Sequence, residues 1–101
     1  MRMVYINFNV GILPDVKKQI AEMKIEDYQI FDRVLSKNKK GDPKFDTPVW
    51  PGYNTAVFIP MTDSEKLKEL FQWIQSFNQS VTNDDELISA CSWEMDHYIY
   101  N

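Results

Sequence analysis

The chain has 101 residues, enough for one domain and too few for two. Its 44% hydrophobic and 26% charged residues exclude a disordered or fibrous chain. Eleven Lys and Arg against 15 Asp and Glu leave a net charge of −4, which excludes general nucleic-acid binding because no basic footprint is available.

Residues 3 to 10 alternate, with Val4, Ile6, Phe8 and Val10 on one face, and predict a strand that Gly11 ends. Pro14 suits the first turn of a helix, and Asp15 favours the positive end of its dipole. Val16, Ile20 and Met23 then give helical spacing over about 11 residues. Tyr28 to Leu35 is a second strand, with Tyr28, Ile30 and Val34 on one face and Phe31 and Leu35 on the other. Residues 36–53 have no usable period and carry Lys37, Lys39, Lys40 and Lys44, three prolines and two glycines. A loop of this length in a small domain is usually functional or mobile, and residues 37–48 are expected as its most mobile part. Asn54 to Ile59 is a third strand, with Pro60 as its stop. Thr62-Asp-Ser-Glu65 reads as a capping box with Thr62 as the cap. Leu67, Leu70, Phe71, Ile74 and Phe77 form a helical stripe through about residue 78. A polar loop follows to Glu86, and Leu87 to Tyr100 is expected as the last strand.

The order β-α-β-β-α-β predicts a single α+β domain over residues 1–101. It is the ferredoxin-like arrangement, a four-stranded antiparallel sheet with two helices on one face. Val4, Ile6, Phe8 and Val10 should lie beneath the helices. The opposite face also carries large apolar residues and needs another cover, which copies of the chain supply most simply. Tyr5, Trp93 and Met95 are the expected interface residues. The single cysteine, Cys91, excludes an intrachain disulfide. The apolar run from Ala56 to Met61 is too short to span a bilayer, and the first residues read as a strand rather than a signal peptide. A cytoplasmic protein without a membrane span is expected.

In element order, in the short helix Asp15-Val-Lys-Lys-Gln-Ile-Ala-Glu22 and in the loop end Asp46-Thr-Pro-Val-Trp-Pro-Gly-Tyr-Asn54, the chain resembles the PII-like family of small signalling proteins. The resemblance implies a homotrimer with ligand clefts between subunits. It also implies that the 36–53 loop, the T-loop of that family, is an arm that reports ligand state to a partner protein. Members of the nitrogen-regulatory branch that hold ATP carry a glycine-rich phosphate loop before the last strand, and basic residues on that strand. Here Gln79-Ser-Val-Thr-Asn-Asp-Asp-Glu86 has no glycine and three acids, and the last strand offers Glu94, Asp96 and His97. An acidic stretch without a backbone nest repels a triphosphate, so ATP should bind weakly or not at all. The related CutA trimers share the topology, but their aromatic-Gly-Lys signature is absent here.

The candidate ligand- or partner-binding residues are Lys37, Lys39, Lys40, Trp50, Gly52 and Asn54. The lysines suit an anion or an acidic surface. Pro48 and Pro51 bracket Val49-Trp50 and stiffen it, so Val49 to Asn54 should be ordered with Trp50 as a buried anchor, whereas residues 37–48 offer little apolar surface to hold them. Gly52 suits a turn with positive φ, and Asn54 suits a side-chain-to-backbone bond that orients it. Cys91, Met95 and His97 are soft ligands suited to Cu(I) or Zn. As strand neighbours, however, Cys91 and His97 lie roughly 20 Å apart, so they read as core sulfur and an interface histidine, with no metal site. No nucleophile–base pair or G-x-S-x-G motif is present. The sequence therefore points to a non-enzymatic regulatory protein without a cofactor, whose partners are its own copies and a small effector or a partner protein. A metal-responsive CutA-like protein and a purely structural oligomer are the alternatives.

Overall fold

The computed structural model describes residues 1–100. Its elements are β1 (Arg2–Asn9), α1 (Leu13–Glu22), β2 (Gln29–Val34), β3 (Asn54–Met61), α2 (Ser64–Ser80) and β4 (Ser89–Glu94). The strands form one antiparallel sheet in the order β2-β3-β1-β4, the predicted ferredoxin-like arrangement. Val4, Ile6 and Phe8 of β1 lie against Val57 and Ile59 of β3 in the core. Val16 and Ile20 of α1 and Leu70 and Ile74 of α2 close over the same face. Leu67, Phe71, Trp73 and Phe77 extend the stripe of α2 along the margin of this core.

Four boundaries differ from the sequence reading, each for a local reason. The Asn9 side chain accepts from the Gly11 amide at 2.9 Å and turns the chain into a 3₁₀ turn over Val10–Ile12. Val10 is thereby only half-buried, and Ile12 enters the core instead. Pro60 does not end β3, which pairs with β1 as far as Met61. The ladder with β2 reaches only Phe58, so the missing Pro60 amide has no strand to serve on that side. β4 stops at Glu94 rather than Tyr100, because β1 begins at Arg2 and offers nothing further to pair with. The last tie is the Met95 amide to the Met1 carbonyl at 3.1 Å. Finally, Asp63 rather than Thr62 caps α2, its carboxylate accepting from the Glu65 and Lys66 amides at 2.9 and 3.3 Å. A carboxylate there satisfies two orphan amides and also meets the positive end of the dipole.

The face of the sheet away from the helices carries Met3, Tyr5, Phe58, Phe31, Cys91 and Trp93, as the register of the strands requires. Phe58 packs between Tyr5 and Phe31, with ring centroids 5.0 and 5.2 Å away. Phe31 and Trp93 are exposed, and Cys91 is exposed too, which corrects its assignment to the core. Asp63→Ala should lower the unfolding free energy by about 1 kcal/mol, whereas Thr62→Ala should change it little. Urea denaturation of the two variants checks the cap, and the reverse ranking would return it to Thr62.

Candidate functional site

The long loop is two structures in series. Ser36 and Lys44 exchange backbone hydrogen bonds of 3.1 and 2.8 Å, closing residues 37–43 into a ring. That ring is polar, yet it is firmly held. The Asp42 amide donates to Asp85 Oδ1 at 2.8 Å, and Lys44 Nζ donates to Asp85 Oδ2 at 3.1 Å. Asp85 lies in the 3₁₀ turn Asp84–Glu86, which Asn83 caps by accepting from the Asp85 amide at 2.9 Å. A Cβ at Gly41 would stand 2.8 Å from Asp85 Oδ1, so glycine is what lets the carboxylate approach. The Lys44 and Asp85 side chains are 16% and 24% exposed, and both bonds are charge-assisted and correspondingly strong. The Asp42 amide and then the Lys44 ammonium hold the Asp85 carboxyl below its ordinary pKa. Residues 37–44 thus have an anchor that a search for apolar surface does not find.

The outer part of the loop is a tight hairpin. Thr47 N–H and Phe45 N–H both donate to the Trp50 carbonyl, Asp46 N–H donates to the Gly52 carbonyl at 2.8 Å, and Trp50 N–H donates to Thr47 Oγ1. Gly52 has φ +83°, as its turn requires. Arg33 of β2 pairs with Asp46 at 3.1 Å and lies 5.1 Å from the Tyr53 ring centre. Trp50, however, is 41% exposed. The buried-anchor reading is corrected: backbone bonds and Arg33 hold this hairpin, and they leave the indole at the surface. Asn54 is buried, and its Nδ2 donates to Asn7 Oδ1 at 2.6 Å. Asn7 in turn donates to the Tyr5 hydroxyl at 2.9 Å. Asn54 therefore joins two strands through side chains rather than orienting the turn through its backbone. Sequence reasoning gave Asn7 no role and read Asp85 only as one of three acids that oppose a triphosphate, not as the partner of Lys44. A polar residue inside a strand pattern was the signal for the first, and an acid far from its lysine in sequence gave none for the second.

Between the ring and the connection from α2 to β4 lies a cleft of about 450 Å³, bordered by Asn38, Lys39, Lys40, Asn78, Asp84 and Ile88 among others. Asn78 fixes its floor, accepting from the Ile88 amide at 2.8 Å and donating to the Ile88 carbonyl at 2.9 Å. The loop lysines separate here. Lys39 and Lys40 line the cleft, Lys44 belongs to Asp85, and Lys37 donates to the Asn38 carbonyl at 3.2 Å. Trp50 and Gly52 stand outside this cleft, in the hairpin. The space beside Asp85 itself, between Asn38, Gly41, Asp42, Lys44 and Asn54, is only about 10 Å³.

A second concavity of about 270 Å³ opens on the helix-free face among Met3, Gln29, Phe31, Phe58, Pro60 and Tyr98. The Tyr98 hydroxyl donates to the Asp27 carboxylate, which raises the phenol pKa. Because β4 ends at Glu94, Met95 and His97 do not continue the face that carries Cys91. Among the described residues no three His, Cys, Asp or Glu side chains come together as a metal set.

No family model and no curated protein matches the sequence. Solved structures are similar in fold. The protein CPII of Thiomonas intermedia K12, a nitrogen regulatory PII-like protein solved with ADP and bicarbonate, superposes with a TM-score of 0.68 at 9% identity, over 95% of this chain and 88% of that one. The same protein with ADP, AMP and bicarbonate gives 0.66 at 10% identity, over 97% and 94% of the two chains. A Thermus thermophilus protein described as PII-like and signalling gives 0.60 at 12% identity, over 91% and 83%. The chain has the fold of the PII-like signalling proteins.

The Asp85 contacts carry a pH signature. A carboxyl whose pKa is lowered on folding stabilises fully above its unfolded value, and that contribution disappears as pH falls through the folded value. Wild type should therefore be more stable than Asp85→Asn at pH 7, with the gap closing below about pH 4. Urea midpoints across pH 2–7 check this, and a gap that persists unchanged at low pH would show that the charge is not what holds the ring.

Proposed function

We propose that the protein is a regulatory binding protein of the PII-like kind, acting without chemistry, in which a small anionic effector at the ring is sensed by the 36–53 loop. The observation that carries this reading is the cleft. It places Lys39 and Lys40 beside a largely apolar floor of Leu87 and Ile88 that Asn78 fixes, its volume is of ligand size, and one wall is the loop itself. The solved relatives of this fold support it, since CPII was solved with adenine nucleotides and bicarbonate. With Asp84 as the third charge on the wall, the cleft suits an anion of one or two charges better than a triphosphate. Lys39 and Lys40 would meet the anion, and Trp50, exposed on the adjoining hairpin, would present the loop to a partner protein.

The test is a melting-temperature series with bicarbonate, AMP, ADP and ATP. A ligand at 100 times its dissociation constant adds about 2.7 kcal/mol of stability. AMP or bicarbonate should raise the melting temperature, Lys39→Ala with Lys40→Ala should abolish the rise, and ATP should bind more weakly. Submicromolar ATP binding would overturn the charge argument, and no shift with any of the four would overturn the anion reading.

The helix-free face favours self-association. Tyr5 and Trp93 lie on it with Met3, Phe31 and Phe58, an apolar area that a soluble chain covers with copies of itself. Threefold closure follows the likeness of fold. Light scattering at micromolar concentration should give three times the 12.0 kDa protomer mass, and Trp93→Glu should reduce it. A wild-type mass of one protomer rejects the trimer.

A further inference from the structure

We infer that Gly41 to Lys44 form an oxyanion cradle occupied by the chain's own Asp85 carboxylate, an autoinhibitory contact that a carboxylate-bearing small molecule displaces to free the ring. The inference rests on the small-anion reading above and adds to it the regulatory element and the chemical class of the effector.

The cradle has the parts of an anion receptor. A backbone N–H of Asp42 takes one oxygen at 2.8 Å, and the Lys44 ammonium takes the other at 3.1 Å. The missing Cβ of Gly41 leaves the gap through which the oxygen enters. Two donors on two oxygens match a planar carboxylate and do not depend on what the carboxylate is attached to. The remaining space of about 10 Å³ admits no second anion, so a ligand oxygen reaches these donors only by replacing Asp85. The route is short. Asn38 borders both the cradle and the cleft, and Asp84, next to Asp85, lines the cleft. Among the described residues, the hydrogen bonds that join the ring to the 84–86 turn end on the Asp85 side chain. Its displacement therefore unfastens the ring from the sheet side of the molecule. A tethered carboxylate competes at an effective concentration in the millimolar range, so a simple acid fails against it, and an effector succeeds by adding contacts in the cleft.

Removing the tethered competitor tests this. In Asp85→Ala, trypsin should cut at Lys37, Lys39 and Lys40 several-fold faster than in wild type. Sodium acetate at tens of millimolar should bind the vacated cradle of Asp85→Ala and shift the Asp42 amide proton resonance, while sodium chloride at equal ionic strength should not. Lys44→Ala in the same background should abolish that shift, and acetate should leave the wild-type resonance unchanged. Inorganic phosphate, tetrahedral and bulkier, should shift it less than acetate. Gly41→Ala, which keeps Asp85 but crowds its oxygen, should also speed cutting, and it serves where Asp85→Ala fails to fold. A shift by acetate no larger than by chloride, a shift that survives Lys44→Ala, or unchanged cutting of Gly41→Ala overturns the cradle. A larger shift by phosphate overturns the carboxylate assignment. These outcomes are independent of the nucleotide and bicarbonate melts, which test the cleft in the wild-type chain.

Discussion

The ladder between β1 and β3 is the constraint on which the rest of the molecule depends. It runs unbroken from Arg2 opposite Met61 to Asn9 opposite Asn54, and it puts Val4, Ile6, Phe8, Val57 and Ile59 together under the helices. A slip of one residue would turn all of these to the other face, so burial fixes the register. The two ends of the ladder then differ. At one end β2 does not reach past Phe58 of β3 and β1 does not reach past Glu94 of β4, which is why Pro60 is tolerated and why residues after Glu94 leave the sheet. At the other end Val34, Asn54 and Ser89 come together, and the long loop emerges beside the connection from α2 to β4. Asp42 and Asp85, 43 residues apart, meet because of that shared end.

Much of this could be read from the residues. The period-2 pattern of β1 and the stripe of α2 are strong signals because burial on one face enforces them, and both elements stand where the pattern puts them. Element ends were less legible. Asn9, Asp63 and the last residues of β4 are decided by a single side-chain bond or by the length of a neighbouring strand, neither of which a periodic pattern contains. The site was legible only in part. The lysines were visible as a cluster, but their division between Lys44 on Asp85 and Lys39 and Lys40 at the cleft is a tertiary fact. Trp50 shows the opposite failure: a large ring between two prolines suggests burial, yet hydrogen bonds of its own backbone make the hairpin without it.

The acidic stretch Asp84-Asp85-Glu86 changes meaning once its partners are seen. Counted as charge, three acids before the last strand oppose a phosphate. Counted as contacts, one of them is neutralised by Lys44 and the Asp42 amide, and only Asp84 among them borders the cleft with Lys39 and Lys40. A molecule with net charge −4 thus carries a locally cationic cleft, since at about 10 Å of screening in ordinary salt the near charges outweigh the distant ones.

The two halves of the loop are held by different forces, and that separates what each can do. The ring from Ser36 to Lys44 is fastened by a carboxylate from elsewhere in the chain, so it is the half that the proposed anion would release. The hairpin from Phe45 to Gly52 depends on its own backbone bonds and on Arg33 of β2, and none of these contacts involves Asp85. Val49 and Trp50 at its tip are thus a preformed, exposed apolar surface whose shape does not rest on Asp85. A surface of that kind would bind a partner without the ordering cost that a disordered arm incurs on docking, and any coupling between partner and cradle would act by the same factor in both directions.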